Sequence, residues 1–529
     1  MARAEINDMS KTNFSGVTQS GRRRFLGMLG GGMLLGAVPG MAFAKEGATA
    51  TSSFKPDLEL ELRAAPDKVA ILPGNKTAVW RYQAKVLKGN DQAVASLPGS
   101  YLGPVIRVHK GTRVRIHFIN DLPQASIVHW HGLIVPEAAD GHPRYAIPPG
   151  SRYVYEFEVG NRAGTYWFHP HPHGHTGEQV YGGLAGLFIV SDDEERALKL
   201  PDGARDIPLV IQDRSFDRDN QLVYLSGGMM GRMMGFTGNQ IMVNGYADYT
   251  LAVERKAYRL RLMNGSNSRI YKLAWSDGTP LSVIGTDGGL LATPISRKYL
   301  TLAPAERIEL WVDFSQRAAG EELTLHSLPF SVTSGGGMMG MMGGGGGLPN
   351  GAELTVLKVK VGKGAAVAEK LPAQLAVIAA LNPKLASNYE DPRTFRVTAG
   401  RMQWGLNGRV FEMEEVAADE IVKLGSTEVW QFVNEASMGM MGAMPHPMHM
   451  HGVQFRIINR HVHPAAMDTW QELSAGFVNE GWKDVVLVMP GERVHVLVRF
   501  DNYPGLFVYH CHNLEHEDMG MMRNFEVRA

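Results

Sequence analysis

Cysteine is all but absent: the 529-residue chain has one, Cys511. No disulfide can form within the chain, and the thiol is left three uses, as core filler, nucleophile or metal ligand. Net charge is absent as well, with 53 Lys and Arg against 53 Asp and Glu. A balanced chain has no electrostatic claim on nucleic acid or on an anionic membrane surface, so a small partner is expected. Beyond the first 44 residues no apolar run is long enough to span a bilayer, which argues against stable membrane insertion. Long 3.6-residue apolar patterns are scarce too, and with them goes the case for a helical bundle.

What the chain does have is turn formers, methionine and histidine: 61 Gly, 28 Pro, 28 Met and 19 His. Short β-branched and aromatic runs, among them "VIRVHKGTRVRIHFIN", "SRYVYEFEV", "RIELWVDF", "TEVWQFVN" and "RVHVLVRF", recur between Gly, Pro, Asn and Asp clusters. Strand periodicity of this kind predicts all-β sandwiches. Joints near 191–206 and 361–386 divide the chain into blocks at 55–195, 204–362 and 385–529. An Asn-Gly phrase recurs in the last two blocks, in "QIMVNGYADY" and "MQWGLNGRVF", each time followed by a strand ending in Asn. Repetition of one sandwich module is the simplest account.

The N-terminus carries an address. Arg22 and Arg23 precede Phe25 and Leu26, a Gly-rich stretch follows, and Ala42-Phe43-Ala44 reads as a cleavage site. Residues 1–44 thus match a twin-arginine signal, which implies the twin-arginine export machinery as partner and a periplasmic destination.

Four His-x-His pairs carry most of the chemical information: His129/His131, His169/His171, His449/His451 and His510/His512. Residues two apart on a strand share a face, so each pair can present two imidazoles to one site, and eight imidazoles suit a cluster of metal ions. A fifth pair, His461/His463, begins a Pro-containing stretch without the flanking signatures and is read as a decoy. His109, His117, His326 and His495 stand singly in strand-like runs and are read as structural. Cys511 lies between His510 and His512, so on a strand its sulfur points away from the face the two imidazoles share. His446, His516 and Met521 are available to it on that opposite face. Two imidazoles, a thiolate and a weak thioether are the ligand set of a blue copper site, which tunes copper for electron transfer.

These motifs resemble the three-domain multicopper oxidases over nearly the whole chain after residue 44. The phrases that carry the resemblance are "HWHG", "YWFHPHPHGHTG", "GGLAGLFIV", "HPMHMHG" and "HCHNLEHEDMGM". The resemblance implies three consecutive cupredoxin-like Greek-key domains and four copper ions. It gives the type 1 copper to Cys511, His446 and His516 with Met521 as axial ligand. The type 2 copper takes His129 and His449, and the type 3 pair takes His131, His169, His171, His451, His510 and His512. It also implies acids that relay protons to reduced dioxygen, at the positions of Asp140 and Glu517, with His173 orienting the ligands.

Methionine is the clue to the reducing substrate. It clusters in "GGMMGRMMGFTG" at 227–238, "SGGGMMGMMGGGGG" at 334–347 and "SMGMMGAMPHPMHM" at 437–450. The Gly-rich surroundings of the first two predict mobile loops rather than core. Soft thioether sulfur prefers cuprous copper, so capture and oxidation of Cu(I) is expected, with Met338, Met339, Met341, Met342 and Met444 as candidates. The family's cuprous oxidases carry their long Met-rich insertion in the third domain, ahead of the strand that here reads "GLNGRVFEM"; this chain has none there. Residues 436–445 also lack the acid those enzymes pair with methionine before the type 1 histidine. The expected function is oxidation of Cu(I), or of Fe(II), by dioxygen in copper tolerance. The alternatives are a laccase acting on phenols and aromatic amines, and a non-catalytic copper-sequestering protein.

Overall fold

Alternating burial marks the strands. Along Arg113–Asn120 every second residue, Val114, Ile116, Phe118 and Asn120, turns inward while Arg and His face outward, the period-2 pattern of a sheet with one buried face. The computed structural model describes residues 53–331, 347–400, 403–435 and 444–529. The twin-arginine segment and Met338, Met339, Met341 and Met342 lie outside these residues. No helix among the described residues is long and apolar enough to cross a membrane.

The described strands form six sheets, two for each of three successive stretches of chain. Strands between Leu58 and Ser191 build a four-stranded and a five-stranded sheet, those between Asp206 and Val361 a seven- and a five-stranded sheet, and those between Arg393 and Arg528 two of five. Each pair encloses one core. Leu60, Ile116 and Tyr155 from one sheet meet Ile106, Phe168 and Phe188 from the other in the first. Phe395, Trp430 and Val496 meet Met448, Tyr509 and Phe525 in the third. Two sheets over one shared core are the sandwich expected of cupredoxin-like domains.

The module repeat is visible in single residues. Asn244-Gly245 and Asn407-Gly408 have φ of 51° and 82°, and of 51° and 74°, the double left-handed turn that Asn-Gly makes cheaply in a two-residue hairpin. Each asparagine then pins the neighbouring strand the same way. Asn244 accepts from Val210 N–H and donates to Pro208 O, and Asn407 accepts from Arg396 N–H and donates to Thr394 O. Asn120, Asn264 and Asn434 each end a strand, fully buried, with Nδ2 donating to two backbone carbonyls.

The sandwiches meet through apolar contacts. Tyr101, Trp167 and Leu187 of the first pack with Val210, Met242 and Met263 of the second and Val485 of the third. This three-way junction brings the histidine strands of the first and third sandwiches face to face.

Candidate metal centres

Two neighbouring strands of the third sandwich are each two-faced. In the antiparallel pair His446–Met450 and Gly505–Cys511, Met448 lies opposite Cys511 and His449 opposite His510. Met448, Met450 and Cys511 turn into the core, while His449 and His510 turn toward the first sandwich, where His129 pairs with His169 across its own strand pair. Alternation alone therefore separates two centres.

The first is built on the thiol. Cys511 Sγ lies 3.5 Å from His446 Nδ1 and 3.7 Å from His516 Nδ1, and all three side chains are buried. His516 sits on a short helix, Leu514–Asp518, capped by the Asn513 side chain. Asn513 N–H also donates to the sulfur, at 3.4 Å. Met521 is fully buried in the same core, and its carbonyl accepts from Cys511 N–H at 3.1 Å. Burial pushes the Cys511 thiol well up and brings the His516 imidazole down to about 3; a cation among these donors supplies the charge that a buried thiolate needs.

The second centre gathers the eight paired histidines. The structure sorts them into His131, His169 and His512, into His171, His451 and His510, and into His129 and His449, which are grouped with His131. Within each group the candidate ligand atoms lie within 4.8 Å of one another. His510 and His512, on either side of Cys511, fall in different triads. His129 Nε2 and His449 Nε2 stand 3.4 Å apart, and His451 Nε2 and His510 Nε2 3.2 Å.

Backbone and carboxylate partners set the ring orientations. His129 Nδ1 donates to Asp140 O at 2.6 Å, His449 Nδ1 to Asp484 O at 2.7 Å and His169 Nδ1 to Pro170 O at 2.9 Å. Each turns Nε2 toward the centre, the arrangement of a ligating histidine. His131 is reversed: its Nε2 meets Asp484 Oδ1 at 3.1 Å, and its Nδ1 has no protein partner. His169 Nε2 and both nitrogens of His512 are likewise buried without one. Burial, aided by neighbouring imidazoles, drives His129, His131, His449, His451 and His512 far below the usual histidine range. The rings are neutral and keep their lone pairs. Inward-facing imidazole lone pairs without hydrogen-bond partners are what metal ions satisfy, and imidazole with thiolate suits copper.

Two acids flank the cluster. Asp140 Oδ2 is 2.8 Å from His451 Nδ1, and burial with the nearby Glu137 charge pushes its carboxyl well up. Glu517 Oε2 is 3.1 Å from His510 Nδ1 and Oε1 is 3.5 Å from His171 Nε2. Burial alone would raise Glu517, but His171 and His510 outweigh it and bring the carboxyl down to about 2. His173 lies exposed against the Phe411 ring, 4.9 Å away.

Sequence reasoning passed over a third acid. Asp484 accepts both guanidinium arms of Arg307, with Oδ1 at 2.6 Å from Nη1. The remaining Arg307 donors go to the carbonyls of Thr165, Ala305 and Asp287. The middle sandwich, which gives the cluster no histidine, thus holds the carboxylate that orients His131. Gly132 of "HWHG" makes room for this pair: at φ 82°, a Cβ there would stand 2.4 Å from Asp484 Oδ2 and 2.8 Å from Arg307 Nη2. A charged Lys-Asp step leading into the apolar strand "VVLV" was the available signal.

The first methionine cluster departs from expectation. Residues Gly228–Met234 form a helix rather than a mobile loop, and Met233 is buried in the third core beside Trp404 and Met448. Through Met233 this segment does contribute to a core, and tertiary packing offsets the roughly 1 kcal/mol that each helical glycine costs. Its end touches the thiol centre: the Met233 carbonyl is 3.0 Å from His516 Nε2 and accepts from Trp404 Nε1 at 3.1 Å. Met444 is half-buried against the same core. His461, His463, His109, His117, His326 and His495 join none of these groups.

Known proteins share this layout. Two multicopper oxidase family models match, one over residues 78–195 and the other over 386–529. A laccase of Bacillus stratosphericus is 31% identical over 486 residues, covering 81% of this chain and 89% of that protein. The crystal structure of the McoA multicopper oxidase from the hyperthermophile Aquifex aeolicus is 33% identical, with a TM-score of 0.75 over 90% of this chain and 97% of that one. A multicopper oxidase from Campylobacter jejuni, described as a metallo-oxidase, is 25% identical with a TM-score of 0.71 over 92% and 95% of the two chains. The chain belongs to the multicopper oxidase family, oxidoreductases that use four copper ions, one of type 1, one of type 2 and two of type 3.

Proposed function

We propose that this oxidase takes a metal ion as its reducing substrate, Cu(I) first and Fe(II) second, and couples its one-electron oxidation to reduction of dioxygen to water in copper tolerance. The observation that carries the proposal is the contact between His516 Nε2 and the Met233 carbonyl. His516 is fully buried: the ring edge that a bulky organic donor would have to touch is covered by a methionine helix. On that helix Met229 is 55% exposed and Met234 half-buried, so thioethers stand on the segment that covers the ring. Soft sulfur suits cuprous copper. Met444 and, beyond the described residues, Met338, Met339, Met341 and Met342 are assigned to the same capture.

The grouping supports the ligand roles. Cys511, His446 and His516, together with Met521, would hold the type 1 copper, His129 and His449 the type 2 copper, and the two triads the type 3 pair. When bound, the copper ions supply one-electron acceptance at the thiol centre and four-electron reduction of dioxygen at the imidazole cluster. Asp140 and Glu517 are assigned to proton delivery, which reduction of dioxygen to water requires; Asp140 Oδ2 is hydrogen-bonded to His451 Nδ1, and Glu517 Oε2 lies 3.1 Å from His510 Nδ1 with no hydrogen-bond partner of its own. Asp484 is held by Arg307 and positions His131 instead. We assign residues 1–44 to twin-arginine export and the enzyme to the periplasm.

The laccase relative favours a second reading, oxidation of phenols and aromatic amines. Replacing residues 228–234 by a Gly/Ser linker in the copper-loaded enzyme separates the two. Metal-ion oxidation requires kcat/KM for Cu(I) to fall at least about tenfold, or about 1.4 kcal/mol, while turnover of a bulky phenol rises and the blue absorption persists. Unchanged Cu(I) turnover in a variant that keeps its blue band would sink the proposal.

A further inference from the structure

The pair His461/His463, set aside as a decoy, lies beside His495 in a cleft of about 560 Å³ on the third sandwich. The cleft is formed where the strand Phe455–Val462 runs antiparallel to Glu492–Arg499. Register places Asn459 opposite His495 and His461 opposite Arg493, so His461 and His495 are diagonal neighbours on one face. Their ring centroids are 5.5 Å apart at 85°. That spacing matches imidazole pairs inside the copper-binding groups, such as 5.1 Å for His446 and His516 and 5.3 Å for His451 and His510.

Each ring of the pair is held at one nitrogen by an amide. The Gln431 amide nitrogen, Nε2, sits 2.6 Å from His495 Nε2 and the Asn459 amide nitrogen, Nδ2, 2.8 Å from His461 Nε2. An amide can present its oxygen or its NH₂ in the same shape. Turning each amide over from this placement puts its oxygen against the ring, so that Nε2 keeps its proton and Nδ1 carries the lone pair, the tautomer fixed in ligating histidines. His495 Nδ1 is buried without a protein partner, an orphan of the kind that water or an ion normally meets. Burial, with His461 and Arg493 nearby, lowers the His495 pKa and keeps the ring neutral. His463 differs: its Nδ1 accepts from Ala465 N–H, capping a short helical turn.

The cleft is also close to the thiol centre in the chain. Asn434, which lines it, donates to the carbonyl of Met444, two residues ahead of His446.

We infer that His461 and His495 form a fifth metal site, a surface chelate for a borderline divalent ion such as Cu(II) or Zn(II), distinct from the four resident coppers. Imidazole suits these ions, whereas the methionine sulfurs suit Cu(I). The site stands whether or not Cu(I) is the enzyme's substrate.

Calorimetric titration of the copper-loaded enzyme with zinc chloride tests it, since Zn(II) is redox-silent. One equivalent of zinc is expected to bind beyond the four coppers, without loss of the blue absorption. The double variant His461→Ala/His495→Ala is expected to weaken that equivalent at least about tenfold while keeping the blue band and oxygen uptake. His463→Ala is expected to leave zinc binding within about twofold. Either the absence of a zinc equivalent in the unmodified enzyme or equal binding by the double variant would overturn the assignment.

Discussion

Replacing Cys511 by serine is expected to abolish the intense blue absorption of the copper-loaded enzyme and to lower oxygen uptake by roughly a thousandfold or more. Cys511 is the chain's only thiol, and among the described residues no second sulfur nucleophile can replace it at 3.5–3.7 Å from His446 and His516. It is also peptide-bonded to His510 and to His512, one residue from each imidazole triad. A serine hydroxyl keeps the packing volume nearly constant, so the fold should persist and the eight histidines should still hold metal. Retained copper with lost oxygen uptake distinguishes an oxidase from a protein that merely sequesters copper. A serine variant that still consumed oxygen at a comparable rate would remove Cys511 from the reaction.

Arg307→Ala is expected to destabilise the protein by roughly 3–5 kcal/mol, the cost of leaving a buried carboxylate without its partner. Both side chains are fully buried, so solvent cannot compensate Asp484 once the guanidinium is gone. Arg307 also ties Thr165 of the first sandwich to Asp287 of the second and Asp484 of the third. Its loss should therefore loosen the junction and, through His131 Nε2 and His449 Nδ1, lower copper occupancy of the imidazole cluster. Denaturant unfolding of the variant with copper analysis provides both readouts. The double variant Arg307→Ala/Asp484→Ala should lose less stability than the sum of the two single changes, since the uncompensated charge is gone. A shift below about 1 kcal/mol for Arg307→Ala would show that the buried pair is not holding the junction.

The sheet architecture was legible because strand alternation and Asn-Gly turns are local properties, and the paired histidines because i, i+2 spacing on a strand has a direct geometric meaning. The separation of Cys511 from His510 follows from that rule alone. What was not legible depends on contacts between distant stretches. Sequence reasoning offered no link between Asp484 and Arg307, 177 residues apart, because neither lies in a histidine motif. The helix Gly228–Met234 was masked by its glycines, whose composition reads as loop; the one-turn spacing of its methionines pointed the other way. The sorting of six histidines into two triads likewise requires the first and third sandwiches to be docked.

The covered ring edge at His516 has a direct kinetic consequence. The decisive measurement is oxygen uptake by the unmodified copper-loaded enzyme with Cu(I) and, separately, with a bulky phenol, compared as kcat/KM. Metal-ion oxidation behind the Met233 helix predicts that Cu(I) exceeds the phenol by at least about tenfold, or about 1.4 kcal/mol of transition-state preference. A phenol oxidised as efficiently as Cu(I), or more so, would contradict it.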